Sequence, residues 1–280
     1  MVYSADISRD NPTCLIFLID QSGSMNDGWS KNPDEKKSEN VARTINRCLQ
    51  NLALKCAKDD GIRDYFYIGV FGYNSENVGS ALKNFDPDKD LIPISDLAKN
   101  PLRIDTIVNK VLDQDGNMVE EKVKLPIWVE PFALGGTPMC AALQLAESVL
   151  SGWVREHPES FPPILIHVTD GESTDGNPIL HAQRIKKIET KDGATLIFNI
   201  HISSTISDPI MYPRDPNALP DDFARALYAM SSHLPPSMHP YAKSLGYTIN
   251  EKSRGYGFNA DISSFSDFLD IGTRPANMKG

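Results

Sequence analysis

Cys14-Leu15-Ile16-Phe17-Leu18-Ile19-Asp20-Gln21-Ser22-Gly23-Ser24-Met25 decides the architecture of this chain. Six consecutive apolar residues leave no polar face, so they suit a strand covered by helices on both sides, as in a parallel sheet. The turn after such a strand lies where open α/β sheets gather ligands, beyond the carboxyl end. Asp20, Ser22 and Ser24 alternate there, so one carboxylate and two hydroxyls converge on one side while Gly23 permits tight curvature. Oxygen ligands of this kind suit a hard divalent cation. Standing alone, the same residues serve equally for turn or cap chemistry, because Asp and Ser side chains bond nearby backbone amides.

Two downstream stretches supply remote partners. Gly135-Gly136-Thr137-Pro138-Met139 reads as a glycine loop opening a helix, with Thr137 as N-cap and Pro138 at the first helical position. Pro162-Pro163 introduces a second apolar run, Ile164-Leu165-Ile166-His167-Val168, followed by Thr169-Asp170-Gly171-Glu172. Asp170 thus occupies a strand end like that of Asp20, and in a parallel sheet both carboxylates fall on one edge, with Thr137 delivered between them. Asp175 reads differently, as a cap for the next helix.

In this order and context the residues resemble the von Willebrand factor A domain family, whose metal-ion-dependent adhesion site has the form Asp-x-Ser-x-Ser, a distant Thr and a distant Asp. The pattern falls on Asp20, Ser22 and Ser24, on Thr137, and on Asp170, with no position departing from it. The resemblance implies a Mg²⁺ or Mn²⁺ ion bound directly by Ser22 and Ser24, with Asp20 and Asp170 acting partly through water and Thr137 joining in the ligand-competent state. Two carboxylates leave such a site neutral when loaded. It also implies a position open to an acidic side chain, Asp or Glu, from a protein partner. The wording of the Thr137 and Asp170 loops looks more like intracellular bacterial members, some of which resemble components of tellurium-resistance-type stress systems and of kinase- or phosphatase-linked signalling.

Composition narrows the alternatives. The chain has 280 residues, 28 basic and 37 acidic, for a net charge of −9. That length suits one decorated α/β domain, and the acidic balance disfavours nucleic acid and acidic membrane surfaces. Residues 1–10 lack the basic and apolar regions of a secretory signal, and no apolar run reaches membrane-spanning length. Cys14, Cys48, Cys56 and Cys140 form no Cys-x-x-Cys pair and read as reduced thiols, which points to the cytoplasm. No nucleophile, base and leaving-group constellation is present, so the expectation is a noncatalytic protein-recognition module. The alternative from another class is a phosphohydrolase of the haloacid-dehalogenase type with Asp20 as nucleophile. Ser22 stands where that chemistry needs a second Asp. A serine hydrolase would need a Gly-x-Ser-x-Gly elbow, which Ser22 and Ser24 lack.

The remaining sequence reads as alternating elements of a doubly wound, mostly parallel sheet with helices on both faces. Asn32-Pro33-Asp34-Glu35 predicts a helix start, followed by the apolar stripe Val41, Ile45, Cys48, Leu49, Leu52 and Cys56, with Gly61 closing it. Residues 65–71 predict the second core strand. A helix after Thr137 carries Ala141, Leu145, Val149 and Trp153. Asn177-Pro178 starts another, and 195–202 forms a further strand. Residues 103–112 and 118–129 predict a strand pair around Asp113-Gln114-Asp115-Gly116. Asp86-Pro87-Asp88-Lys89-Asp90 lacks the Gly and Glu of a calcium loop. His167 and His201 read as structural. Arg254-Gly255-Tyr256-Gly257-Phe258 begins like an RNA-recognition motif, but Asn259 and Asp261 break it, and it reads as a turn with local packing. The whole chain is therefore one domain, with a core at about 11–203 plus a terminal helix at about 263–271, and insertions at about 74–133 and 204–258.

Overall fold

Thr13–Asp20 forms strand β1, and every residue in it is buried, as an apolar run without a polar face requires. A computed structural model of the protein describes residues 3–29, 32–112, 118–203, 208–260 and 262–273. After β1 come α1 (Lys37–Lys55), β2 (Phe66–Tyr73), β3 (Val78–Ser80), β4 (Ile92–Pro93) and α2 (Ile94–Lys99). A hairpin of β5 (Arg103–Leu112) and β6 (Met118–Ile127) leads to α3 (Met139–Glu156), β7 (Ile164–Thr169), α4 (Pro178–Ile185) and β8 (Leu196–His201). The chain closes with β9 (Ile210–Met211), α5 (Asp222–Met230), α6 (His239–Ser244), β10 (Tyr256–Phe258) and α7 (Ile262–Gly272).

The central sheet runs β9-β10-β8-β7-β1-β2-β3, with β4 also paired to β2. Among the described residues its five inner strands are parallel, and only the edge strands β3, β4 and β9 are antiparallel. From β1 the chain builds outward through α1 to β2, then returns through α3 to β7 on the opposite side. The order reverses between β1 and β7, so the connections leaving these two strands run to helices on opposite faces of the sheet, and their carboxyl ends form the topological switch point.

Side-chain alternation along β1 feeds two cores. Leu15, Phe17 and Ile19 pack with Val41, Ile45 and Leu49 of α1 and with Phe265 and Phe268 of α7. Cys14, Ile16 and Leu18 point the other way, into Leu143 and Ala146 of α3, Ala182 of α4 and Leu227 of α5. The doubly wound arrangement expected from the apolar run is thus present, with helices on both faces.

Several local expectations change. Residues Asn32–Lys36 are extended and pair with Gly28–Trp29 instead of starting the helix, which begins at Lys37. Buried Trp29 donates from Nε1 to the Ala260 carbonyl at 3.2 Å, and this tertiary anchor outweighs the local signal of Pro33. Helix α1 stops at Lys55, short of Gly61, which lies in a small hairpin with Ala57–Lys58. Helix α3 begins one residue after Pro138, and its buried face runs through Met139, Ala142, Leu143, Ala146, Val149, Leu150 and Trp153, leaving Ala141 exposed and Leu145 half-buried.

The two segments set aside as insertions behave differently from each other. Within 74–133, the β5–β6 pair forms as expected, while its turn at Asp113-Gln114-Asp115-Gly116 has residues outside the described ones. Its base is clipped to α1, where Asn46 Oδ1 accepts from the amides of Trp128 and Val129 and Asn46 Nδ2 donates to the Val129 carbonyl. Segment 204–258 contributes to the sheet itself. Arg254-Gly255-Tyr256-Gly257-Phe258 is no turn: it delivers β10, parallel to β8, with Tyr256 and Phe258 buried and closed to any stacking base. A Cβ at Gly255 would lie 2.0 Å from the Phe198 ring, so only glycine admits the close approach of this strand.

Candidate metal centre

The register of the sheet brings the two halves of the site together. Ile19 is level with Val168, so the chains leave β1 and β7 side by side at Asp20 and Thr169. Thr169 Oγ1 donates to Asp20 Oδ2 at 2.6 Å, and the Ser22 amide donates to Asp20 Oδ1 at 2.8 Å. Residues Gly23–Asn26 then form one 3-10 turn. The Ser22 and Ser24 hydroxyls are 3.1 Å apart, and Ser24 Oγ donates to Asp170 Oδ1 at 2.8 Å. With the Ser24 proton committed to Asp170, Ser22 is the donor between the hydroxyls, and both oxygens keep free lone pairs.

Thr137 arrives on the loop before α3. The Gly23 amide donates to the Gly135 carbonyl at 2.8 Å, and the Leu134 amide to the Gln21 carbonyl at 2.7 Å, so this loop is tied to the first one. Gly135 has φ +66°, and a side chain there would run into Ser75 Oγ at 1.8 Å, which accounts for glycine at this crossing. The Thr137 amide donates to Thr174 Oγ1, and its carbonyl accepts from Thr174 and Met139. Its Oγ1 lies 3.9 Å from the point where a side chain on Gly171 would begin, next to Asp170. The N-cap role expected of Thr137 belongs instead to Asp175, whose carboxylate accepts from Cys140 and Ala141 at 2.9 Å. Asp175 therefore caps α3 rather than the following helix. Asn177 caps α4 through Ile179.

All five expected residues thus gather along one sheet edge, and three more join them that the sequence did not single out. Thr169 holds Asp20, Thr174 holds the Thr137 loop, and Lys37 bonds Asp170 Oδ2 at 2.7 Å. The Lys37 and Asp170 side chains are 3% and 0% exposed. One sequence signal pointed at Lys37: two adjacent lysines, Lys36 and Lys37, stand at the positive end of a helix, where a cation is unfavourable without a partner.

The donor set fits a hard divalent ion. Every group offered is an oxygen, each hydroxyl proton between the serines and Asp170 has an acceptor, and the carboxylates are oriented by fixed donors. Asp20 is fully buried, and this burial pushes its carboxyl up to about 6, against the lowering pull of the Thr169 and Ser22 hydrogen bonds.

Behind the centre a buried polar chain crosses the sheet. Tyr73 and His167 Nε2 are 2.7 Å apart, His167 Nδ1 meets Asn199 Oδ1 at 2.8 Å, and Asn199 Nδ2 donates to Ser231 Oγ at 2.8 Å. His167 is thus a satisfied structural histidine: Nδ1 donates and Nε2 accepts from the phenol. Burial pushes it down to about 4 from 6.5. As pH falls below about 6.5 the unfolded chain takes the proton first, so this group's contribution to stability declines until about pH 4. Asp20, shifted upward, acts in the opposite sense over part of that window. Comparison with His167→Gln holds Asp20 constant. Between pH 8 and pH 5 wild type is expected to lose about 2 kcal/mol more than His167→Gln in urea unfolding. Parallel pH profiles for the two proteins would show that His167 takes up its proton as readily in the fold as in the unfolded chain, and that burial does not lower its pKa.

No protein-family profile matches the chain, and no curated protein matches it by sequence. Among solved structures it is similar to the three N-terminal domains of the type V pili tip protein Mfa5 from Porphyromonas gingivalis, at 13% identity over 58% of this chain and 20% of that one, with a TM-score of 0.34. The vWF domain of the same Mfa5 protein gives 12% identity over 58% of this chain and 39% of that one, with a TM-score of 0.33. The PilB minor pilin from Streptococcus sanguinis gives 10% identity over 96% of this chain and 61% of that one, with a TM-score of 0.45. The chain therefore spans less than two thirds of each of these structures. Likenesses at this level carry no argument about function, and the doubly wound architecture stands on its own strand order and register.

Proposed function

We propose that this protein is a noncatalytic recognition module that binds a partner's Asp or Glu side chain through a Mg²⁺ or Mn²⁺ ion held at the carboxyl ends of β1 and β7. The observation that carries this reading is the linked set Asp20, Ser22, Ser24 and Asp170, in which hydroxyl lone pairs remain free while their protons are drawn to neighbouring oxygens. In this reading Ser22 and Ser24 hold the ion directly. Asp20 and Asp170 balance its charge and orient the water around it, and Thr137 closes the remaining side. When bound, the ion supplies a Lewis-acid position open to a carboxylate oxygen. Ser24 is exposed, which suits a site approached from solvent, whereas the fully buried Asp20 is poorly presented for attack on a phosphoester. The bacterial stress-response or signalling setting is part of the proposal, as is a cytoplasmic location.

The decisive experiment is calorimetric titration of the full chain with MgCl₂ and MnCl₂, followed by affinity capture from the native cell with and without chelator. Saturable uptake of one ion, and capture of a partner that chelator releases, is the expected result. Capture that survives chelation sinks the adhesion chemistry. Phosphatase turnover lost in Asp20→Asn would instead favour the hydrolase.

A further inference from the structure

Lys37 is the charge that the proposed ligand set does not account for. Its side chain is 3% exposed, and its ammonium bonds Asp170 Oδ2 at 2.7 Å and faces the Ser24 carbonyl at 3.4 Å. It stands on the first residue of α1, whose amide end is already positive. Burying an ammonium there is unfavourable unless another charge offsets it, and Asp170 is the partner present.

Three ionic groups meet in this buried corner: Asp20, Asp170 and Lys37. With both carboxylates ionised the three groups carry a net charge of −1, and a divalent ion brings it to +1. Two carboxylates alone would leave the loaded centre neutral. The difference matters for what approaches next, because a net positive centre with few waters attracts an anion by charge as well as by an open ligand position. Before loading, the same ammonium satisfies an Asp170 carboxylate that would otherwise be buried against a second carboxylate.

We propose that Lys37 sets the charge of this centre: it holds Asp170 when no ion is bound, weakens cation affinity, and makes the loaded face net positive and so selective for an anionic partner group. This rests on the cation reading above. The ammonium repels the incoming ion and attracts the incoming carboxylate, so removing it moves the two affinities in opposite directions. A residue of merely structural importance would lower both.

The test uses the full chain as wild type, Lys37→Met, Lys37→Gln and the double variant Lys37→Met/Asp170→Asn, in MnCl₂ titrations and thermal melts. Both neutral single variants are expected to bind Mn²⁺ on the order of ten-fold more tightly than wild type. Without cation, Lys37→Met melts below wild type, saturating Mn²⁺ restores most of the loss, and the double variant regains stability without any ion. With sodium acetate as the carboxylate probe, the Mn²⁺-saturated wild type gains more in melting temperature than Mn²⁺-saturated Lys37→Met. Mn²⁺ affinity that is equal or weaker in both neutral variants overturns the proposal, as does an acetate effect that is undiminished in Lys37→Met. A wild type that binds neither Mn²⁺ nor Mg²⁺ overturns the cation reading itself, which separates the two failures.

Discussion

Asp20→Asn is expected to lower Mg²⁺ and Mn²⁺ affinity by on the order of 100-fold while leaving the fold at least as stable as wild type. The two expectations come from one geometry. Asp20 is fully buried, with Oδ1 bonded by the Ser22 amide and Oδ2 by Thr169 Oγ1. Asparagine keeps the shape and can keep both contacts, with Thr169 turning from donor to acceptor. The substitution also removes a charge whose burial is unfavourable when no cation is present, as the upward shift of its carboxyl to about 6 indicates. With an ion bound, the same change removes half of the negative charge facing it. Titration calorimetry and melts with and without Mg²⁺ read both effects. Wild-type cation affinity in Asp20→Asn would remove the basis for the proposed function, whereas a collapse of the cation-free fold would mean that Asp20 is chiefly structural.

Trp128→Ala is expected to destabilise the protein by about 3–5 kcal/mol. Trp128 is among the largest fully buried side chains and packs in the α1 face of the core. Its Nε1 donates to the Leu97 carbonyl at the end of α2 at 2.7 Å, and its amide is held by Asn46 of α1. Truncation therefore opens a cavity and removes the indole hydrogen bond at the point where the β5–β6 hairpin joins the core, leaving the Leu97 carbonyl with the Asn100 amide at 3.1 Å. Ile104→Ala, at a residue of β5 that is 59% exposed, should stay within about 0.5 kcal/mol of wild type. Urea unfolding of both variants at one pH makes the comparison. A loss below about 1 kcal/mol for Trp128→Ala would mean that the base of the hairpin is as dispensable as its exposed face.

The contrast between these residues marks what a local pattern can reveal. Cys14–Ile19 forecasts a buried strand because burial on both faces is a property of the run itself. Asn177-Pro178 forecasts a helix start because cap chemistry involves residues two positions apart, and Ile179 does bond Asn177. Asn32-Pro33 made an equally good local case for a helix start and failed, since the buried Trp29 indole holds the preceding segment against Ala260, far along the chain. Gly255-Tyr256-Gly257 looked like a turn because glycine usually marks one. Here it marks a close strand approach to Phe198 that only the assembled sheet creates.

By itself the sequence determined that a parallel, two-faced sheet forms and that Asp20, Ser22, Ser24, Thr137 and Asp170 stand at loops on its carboxyl edge. Strand burial and loop chemistry are written in neighbouring residues, and parallel pairing places strand ends of this kind together. Only the tertiary structure decided how those oxygens share their protons, which threonines orient them, and that a lysine from the start of α1 enters the cluster. That last feature sets the net charge of the centre. It depends on the register of β1 against β7 and on the path of the chain into α1, distances that no spacing along the chain encodes.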